Sequence, residues 1–379
     1  MLKLCYNGIR GTLSLDLKSV RLFSTSAEIG DAHVLVDYLV KSLGFSREEA
    51  IHTSAKVSHL KSIKNYESII SFFRKGVLDK TQIRNIICSV PSLLTCNVDK
   101  TLKPKIRVLQ DLGLSGSDLV DFVVSNPGFI TRGLESHILP LVDFLKSILG
   151  SNENVAKAIK KSSWLLSGTS CEKLQENVAL LQNYGLSSER IQKFILRNPR
   201  CLTYNYKWLE GSLVRVEKML GIPRESAMFE HGFQVIASFS MENLQSKYEL
   251  FKSHGWSESE VREMVRKQPG VLRLSMDTIP NRLNFFMKDL GYEARYIASH
   301  PSILLFSMEK RVLPRNSVLR ILKDRKLIMN QRLYGALCQS ESQFLNQFVL
   351  PHKDELPQLY EAYINGRMDS FMMVTGYGF

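Results

Sequence analysis

Residues 194–202, FILRNPRCL, decide the fold. A short apolar run of helical spacing reaches Asn198 and stops at Pro199. Proline cannot continue a helix, and it restricts the residue before it. An apolar pair, Cys201 and Leu202, follows at once. The same arrangement stands at 122–130 (FVVSNPGFI) and at 264–272 (MVRKQPGVL). Pro91, Pro127, Pro199, Pro269 and Pro301 each close such a run. Ser163 and Phe233 occupy the skipped places, so seven anchors follow one another at 32–36 residues. A period in that range signals an array of stacked helical units.

Three columns test the register. Four residues before the anchors stand Ile87, Val123, Ile159, Ile195, Phe229, Val265 and Ile297. Three after stand Leu94, Ile130, Leu166, Leu202, Ile236, Leu272 and Leu304. Seventeen after stand Val108, Phe144, Leu180, Val216, Leu250, Phe286 and Val318. Composition alone yields one such column with a probability of roughly 0.003, so three columns identify a repeat.

Each unit then reads as a helix pair. A first helix of about ten residues ends at the anchor, and an apolar turn follows. A second helix opens near the thirteenth residue, where Pro104, Pro140 and Pro314 suit a first helical turn. It stops at Gly113, Gly150, Gly185, Gly221, Gly255 or Gly291, because glycine accepts the left-handed conformation of a helix end. Ser46 with Glu49, and Ser257 with Glu260, have capping-box spacing. The reading is all-α: an α-solenoid, right- or left-handed, of about eight helix-pair repeats of 32–36 residues. The array is expected over 24–340, with a C-terminal cap and tail over 341–379.

ILRNPRCL, VVSNPGFI, VRKQPGVL, TLKPKIRVLQDLG, RVLPRNSVLRILKDRKLI and the tail SESQFLNQFVLPHKDELPQLYEAY resemble the mitochondrial transcription termination factor family, in its plant organelle branch. The resemblance runs from the presequence to the tail. It implies a curved helical superhelix with a basic groove for double-stranded nucleic acid. It also implies a role in organelle gene expression: transcription termination or initiation, or intron splicing and RNA maturation. Pentatricopeptide arrays have a similar period but read single-stranded RNA one base per repeat, and no base-reading column is found here. The small-residue columns of tetratricopeptide arrays are missing.

Composition agrees. Lys and Arg number 50 against 37 Asp and Glu, a net charge of +13 that favours polyanions. Residues 1–27 carry Lys3, Arg10, Lys18 and Arg21 with Asp16 as their one acid, the composition of an organelle transit peptide. Arg21-Leu22-Phe23-Ser24 resembles a mitochondrial processing site, so residues 1–23 are expected to be removed. The spaced arginines favour the mitochondrion, with the chloroplast as the alternative. Removing the +3 of that segment from +13 leaves +10, so the basic excess belongs to the array. The six cysteines form no CxxC pair, and no nucleotide-binding or nucleophile motif is present. A non-enzymatic monomer without metal or cofactor is expected.

The nucleic-acid contacts are sought nineteen residues after the anchors, in Gln110, Lys146, Gln182, Lys218, Lys252, Lys288 and Arg320. Five of these seven are basic and none is acidic. On a helix this position lies about 200° from the seventeenth, away from the core. Stacked units would present one cation each, a ladder suited to a phosphate backbone. The run KRVLPRNSVLRILKDRK, 310–326, holds seven basic residues, of which Arg311, Arg315 and Arg320 are the leading candidates. Arginine binds phosphate bidentately and can reach a base edge. Trp164, at an apolar turn, reads as a packing residue. Three functions compete: a duplex binder regulating transcription, an RNA splicing or maturation factor, and a peptide-binding scaffold.

Overall fold

The computed structural model describes residues 26–57, 63–76, 78–329 and 331–374. The described residues are helix and turn, with no strand among them. The processing site expected after Phe23 lies outside them. The chain forms two compact units, Met1–Cys171 and Glu172–Phe379.

In the first unit, Lys80–Ser89 and Gly116–Ser125 are first helices, each ended by a proline-led 3-10 turn, Pro91–Thr95 or Pro127–Thr131. Lys103–Asp111 and Leu139–Leu149 are the second helices, with Pro104 and Pro140 in their opening turns. In the second unit the same turns stand at Pro199–Thr203, Pro269–Arg273 and Pro301–Leu305. Gly150 ends its helix at φ 79°, its N–H donating to the Lys146 carbonyl at 2.8 Å. The other five glycines of that column share the left-handed region. Both expected capping boxes form.

The columns four before and three after the anchor are buried at every unit, none above 3% exposed. The seventeenth column is buried only at Leu180, Val216, Phe286 and Val318. Val108, Phe144 and Leu250 are half-buried, and there the following residue, Leu109, Leu145 or Phe251, takes the interior place.

The two anchors without proline behave differently from the rest. At Ser163 the chain still breaks, and a short α-helix, Trp164–Ser167, replaces the 3-10 turn. At Phe233 there is no break: the helix Phe229–Ser238 runs straight through. Phenylalanine leaves the helical hydrogen bonds intact, and its ring packs 4.8 Å from that of Phe194. Gly232 makes this possible, because a Cβ there would come within 2.9 Å of the Val216 side chain. Trp164 corrects the packing expectation, for it is 61% exposed.

The proline turns share an accounting of hydrogen bonds. In three of them the second residue after the proline accepts a backbone N–H, as in Cys96 to Leu93, Arg132 to Phe129 and Leu274 to Val271. The third residue's carbonyl is satisfied by a side chain from the preceding second helix in all five. Asn65 donates to Leu94, Lys105 to Ile130, Asn177 to Leu202, Lys247 to Leu272 and Arg282 to Leu304. Lys105, Asn177 and Lys247 stand fourteen residues after their anchors, and Arg282 stands thirteen after. Where the next anchor lacks proline, the fourteenth residue is Leu141 or Leu213, both fully buried. At the seven anchors donor and proline turn therefore occur together, since a buried carbonyl left unpaired is costly.

Candidate nucleic-acid interface

The basic ladder residues sit in the last turn of their helices, Arg320 just before it, and none is buried. Lys218 and Lys288 are exposed, while Lys146, Lys252 and Arg320 are half-buried. Lys146 belongs to the first unit, and the other four belong to the second. Lys252 lies 3.4 Å from Glu249. A pair so exposed contributes little and leaves the ammonium free to exchange partners. Gln110 and Gln182, the neutral members, are exposed as well.

Arg320 opens onto a groove of about 750 Å³ in the second unit. Lys323 from the same helix, Leu313–Asp324, lines it. Arg332, Asn316, Tyr292 and Asp289 complete the polar wall, and Leu290, Leu319 and Leu333 form the apolar floor. The sequence reading missed Arg332, which lies beyond the basic run and reaches the groove only through the turn before Leu333–Cys338.

The basic run does not act as one surface. Arg315, expected to contact nucleic acid, is fully buried. Its guanidinium donates to the Ala336 carbonyl at 2.6 Å, to the Gln339 carbonyl at 2.9 Å and to Glu341 at 2.7 Å. It also lies over the Phe344 ring at 4.6 Å. Arg315 is the fourteenth residue after Pro301 and belongs to the donor column. A surface role is withdrawn for it, because every one of these contacts would have to break. Arg311 is half-buried, over Phe306 at 5.3 Å, with one nitrogen 3.4 Å from the Leu337 carbonyl.

Burial lowers the pKa of the Lys105 and Lys247 ammonium groups below the ordinary lysine value. Burial tends to raise Glu341, but hydrogen bonds from Arg315 and Tyr363 outweigh it and hold the carboxyl below its usual range. These shifts belong to repeat junctions. Among the described residues no cluster of His, Cys, Asp and Glu could hold a metal ion.

Proline-turn repeats that seal their junctions with a side-chain donor, and set surface cations at one position of several second helices, define a helical-repeat protein. The chain belongs to the mTERF family: the family model matches residues 26–226 and 138–345. It is 25% identical over 282 residues to Arabidopsis thaliana "Transcription termination factor MTERF8, chloroplastic", covering 71% of this chain and 54% of that protein. To Arabidopsis "Transcription termination factor MTERF15, mitochondrial" it is 23% identical over 284 residues, 74% of this chain and 62% of the relative. To Drosophila melanogaster "Transcription termination factor 3, mitochondrial" it is 26% identical over 209 residues, 53% of this chain and 56% of the relative. The chain thus spans between 54% and 62% of the length of these relatives.

Proposed function

We propose that this protein binds double-stranded nucleic acid in an organelle and regulates gene expression there, most simply by terminating transcription. The observation that carries this reading is the surface cation repeated on successive second helices, Lys218, Lys252, Lys288 and Arg320. A duplex presents phosphates at a regular interval, and one charge per repeat suits such a backbone. Lys146 is the corresponding residue of the first unit. Arg311, as an arginine, is assigned the contact that could also reach a base edge. A bound protein that bends or unwinds the duplex blocks a polymerase without catalysing a reaction. The names of the relatives, all transcription termination factors of mitochondria or chloroplasts, support the same reading.

The protein is assigned to the mitochondrion and acts as a monomer on organelle DNA or RNA. A fusion of residues 1–40 to a reporter should enter mitochondria and lose about 23 residues. Entry into chloroplasts instead would reverse the organelle. Crosslinking the full chain to organelle nucleic acid, followed by sequencing, tests the function. Discrete duplex DNA sites support the proposal. Recovery of introns or transcripts alone replaces it with RNA maturation, and recovery of neither rejects nucleic-acid binding.

A further inference from the structure

Three elements of the second unit converge at the anchor lacking proline. The helix Ser188–Arg197 ends beside the helix Phe229–Ser238, and the two are tied by Asn198 donating to the Glu230 carbonyl and Gln234 donating to the Arg197 carbonyl. The turn Pro269–Arg273 packs on the helix Phe229–Ser238 from the next repeat. This brings together Arg197, His231 and Arg273. Arg197 Nη1 donates to His231 Nε2, so the imidazole is neutral in this arrangement. Burial, then Arg197, lowers its pKa, and Arg273 does the same, while Glu230 acts in the opposite direction. Glu230 is taken by Arg190 at 3.0 Å. Among the described residues neither Arg197 nor Arg273 has a carboxylate partner. Arg197 and Arg273 are exposed and His231 is half-buried, so an anion can reach all three.

We propose that Arg197, His231 and Arg273 form a phosphodiester-binding cluster, separate from the second-helix ladder. It rests on the duplex-binding reading for its natural ligand. Two arginines and a histidine gathered without a free acid repel any added proton, and a phosphate relieves that repulsion. When the phosphate enters, Arg197 turns from the imidazole to a phosphate oxygen. His231 then takes one proton from solvent at Nε2 and donates it as a hydrogen bond to the same group. The N–H bond at Nε2, its proton supplied by solvent hydronium, is the one covalent bond formed, and the phosphodiester stays intact. Binding is therefore coupled to uptake of one proton, and affinity rises as pH falls.

The test uses the full chain and a fluorescent DNA duplex, titrated between about pH 5.5 and about pH 8. Affinity should rise towards low pH by up to about tenfold per unit, the limit for one proton. His231→Gln should lose this dependence while keeping the wild-type fold and melting temperature. Arg197→Gln with Arg273→Gln should reduce the slope of log K against log salt by about 1.8. Histidine NMR with inorganic phosphate gives a second readout, in which the His231 titration should move to higher pH in wild type. If His231→Gln keeps the pH dependence, or phosphate leaves the His231 titration unmoved, the cluster is overturned. Duplex binding that fails at every pH, with the phosphate shift intact, rejects the duplex reading and leaves the anion site standing.

Discussion

The Lys247 ammonium donates to the Leu272 carbonyl at 2.6 Å, from one second helix to the proline turn of the next repeat. The same nitrogen lies 4.0 Å from the centre of the Phe239 ring, and the residue is 2% exposed. A lysine here is a junction bolt, not a surface charge.

Replacing it should show this. Lys247→Met keeps the bulk and removes the donor, leaving a buried carbonyl unpaired. The loss should be about 1–3 kcal/mol, read by urea unfolding. Lys105→Met, at the equivalent bond to Ile130, should behave alike. Leu213→Met, at the same position before the unbroken helix, should cost less than about 1.5 kcal/mol. Equal losses at all three would disprove the pairing of donor with proline turn.

The same lysine predicts a pH dependence. Burial holds its folded pKa below the unfolded value of about 10.4. Between those two values the unfolded chain binds more protons, so stability rises with pH. The contribution is complete above the unfolded pKa and is lost as pH falls through the folded one. The stability gap between wild type and Lys247→Met should therefore widen from neutrality towards about pH 10. A gap that narrows would place the charged form as the favoured one.

Arg315 and Arg320 lie five residues apart on one helix and should separate cleanly. Arg315→Gln should destabilise the fold by about 2–4 kcal/mol, since it frees two carbonyls and Glu341. Glu341, held below its usual range, adds stability above an unfolded pKa of about 4.3 that is lost as pH falls through the folded value. That acid-side loss should shrink in Arg315→Gln, where the hydrogen bond from Tyr363 remains. Arg320→Gln, at a half-buried position, should cost less than about 1 kcal/mol. A stable Arg315→Gln chain with weakened binding would restore Arg315 to the surface.

Leu202 and Leu272 are fully buried beneath the capped carbonyls. Leu→Ala at either should cost about 2–5 kcal/mol. A loss under about 0.5 kcal/mol would mean that the junction core lies elsewhere.

The ladder is tested by salt. Replacing Lys218, Lys252, Lys288 and Arg320 by Gln should lower the slope of log K against log salt on duplex DNA by about three to four. Discrimination between sequences should change little, because phosphate contacts position the protein and do not read bases. A folded quadruple variant with an unchanged slope would leave these residues as a solvated face.

The sequence by itself determined the repeat, its period and its punctuation. Pro91, Pro127, Pro199, Pro269 and Pro301 each act on their own backbone, and so do glycines such as Gly150; apolar columns at −4 and +3 need only the register to be seen. Residue type also placed Lys218 and Lys288 outside the core correctly. It could not do so for Lys105, Lys247 and Arg315, which look by type like any other basic surface residue. Their column was visible at the fourteenth position, but nothing local marks it as interior. Only stacking decides that, by setting an unpaired carbonyl of the next turn within hydrogen-bond reach of the side chain. The unbroken helix through Phe233 was likewise settled by packing, on Phe194 and against Gly232. So was the meeting of Arg197, His231 and Arg273: the first two stand two residues before their anchors, Pro199 and Phe233, but only packing brings Arg273, four after its own anchor, to them.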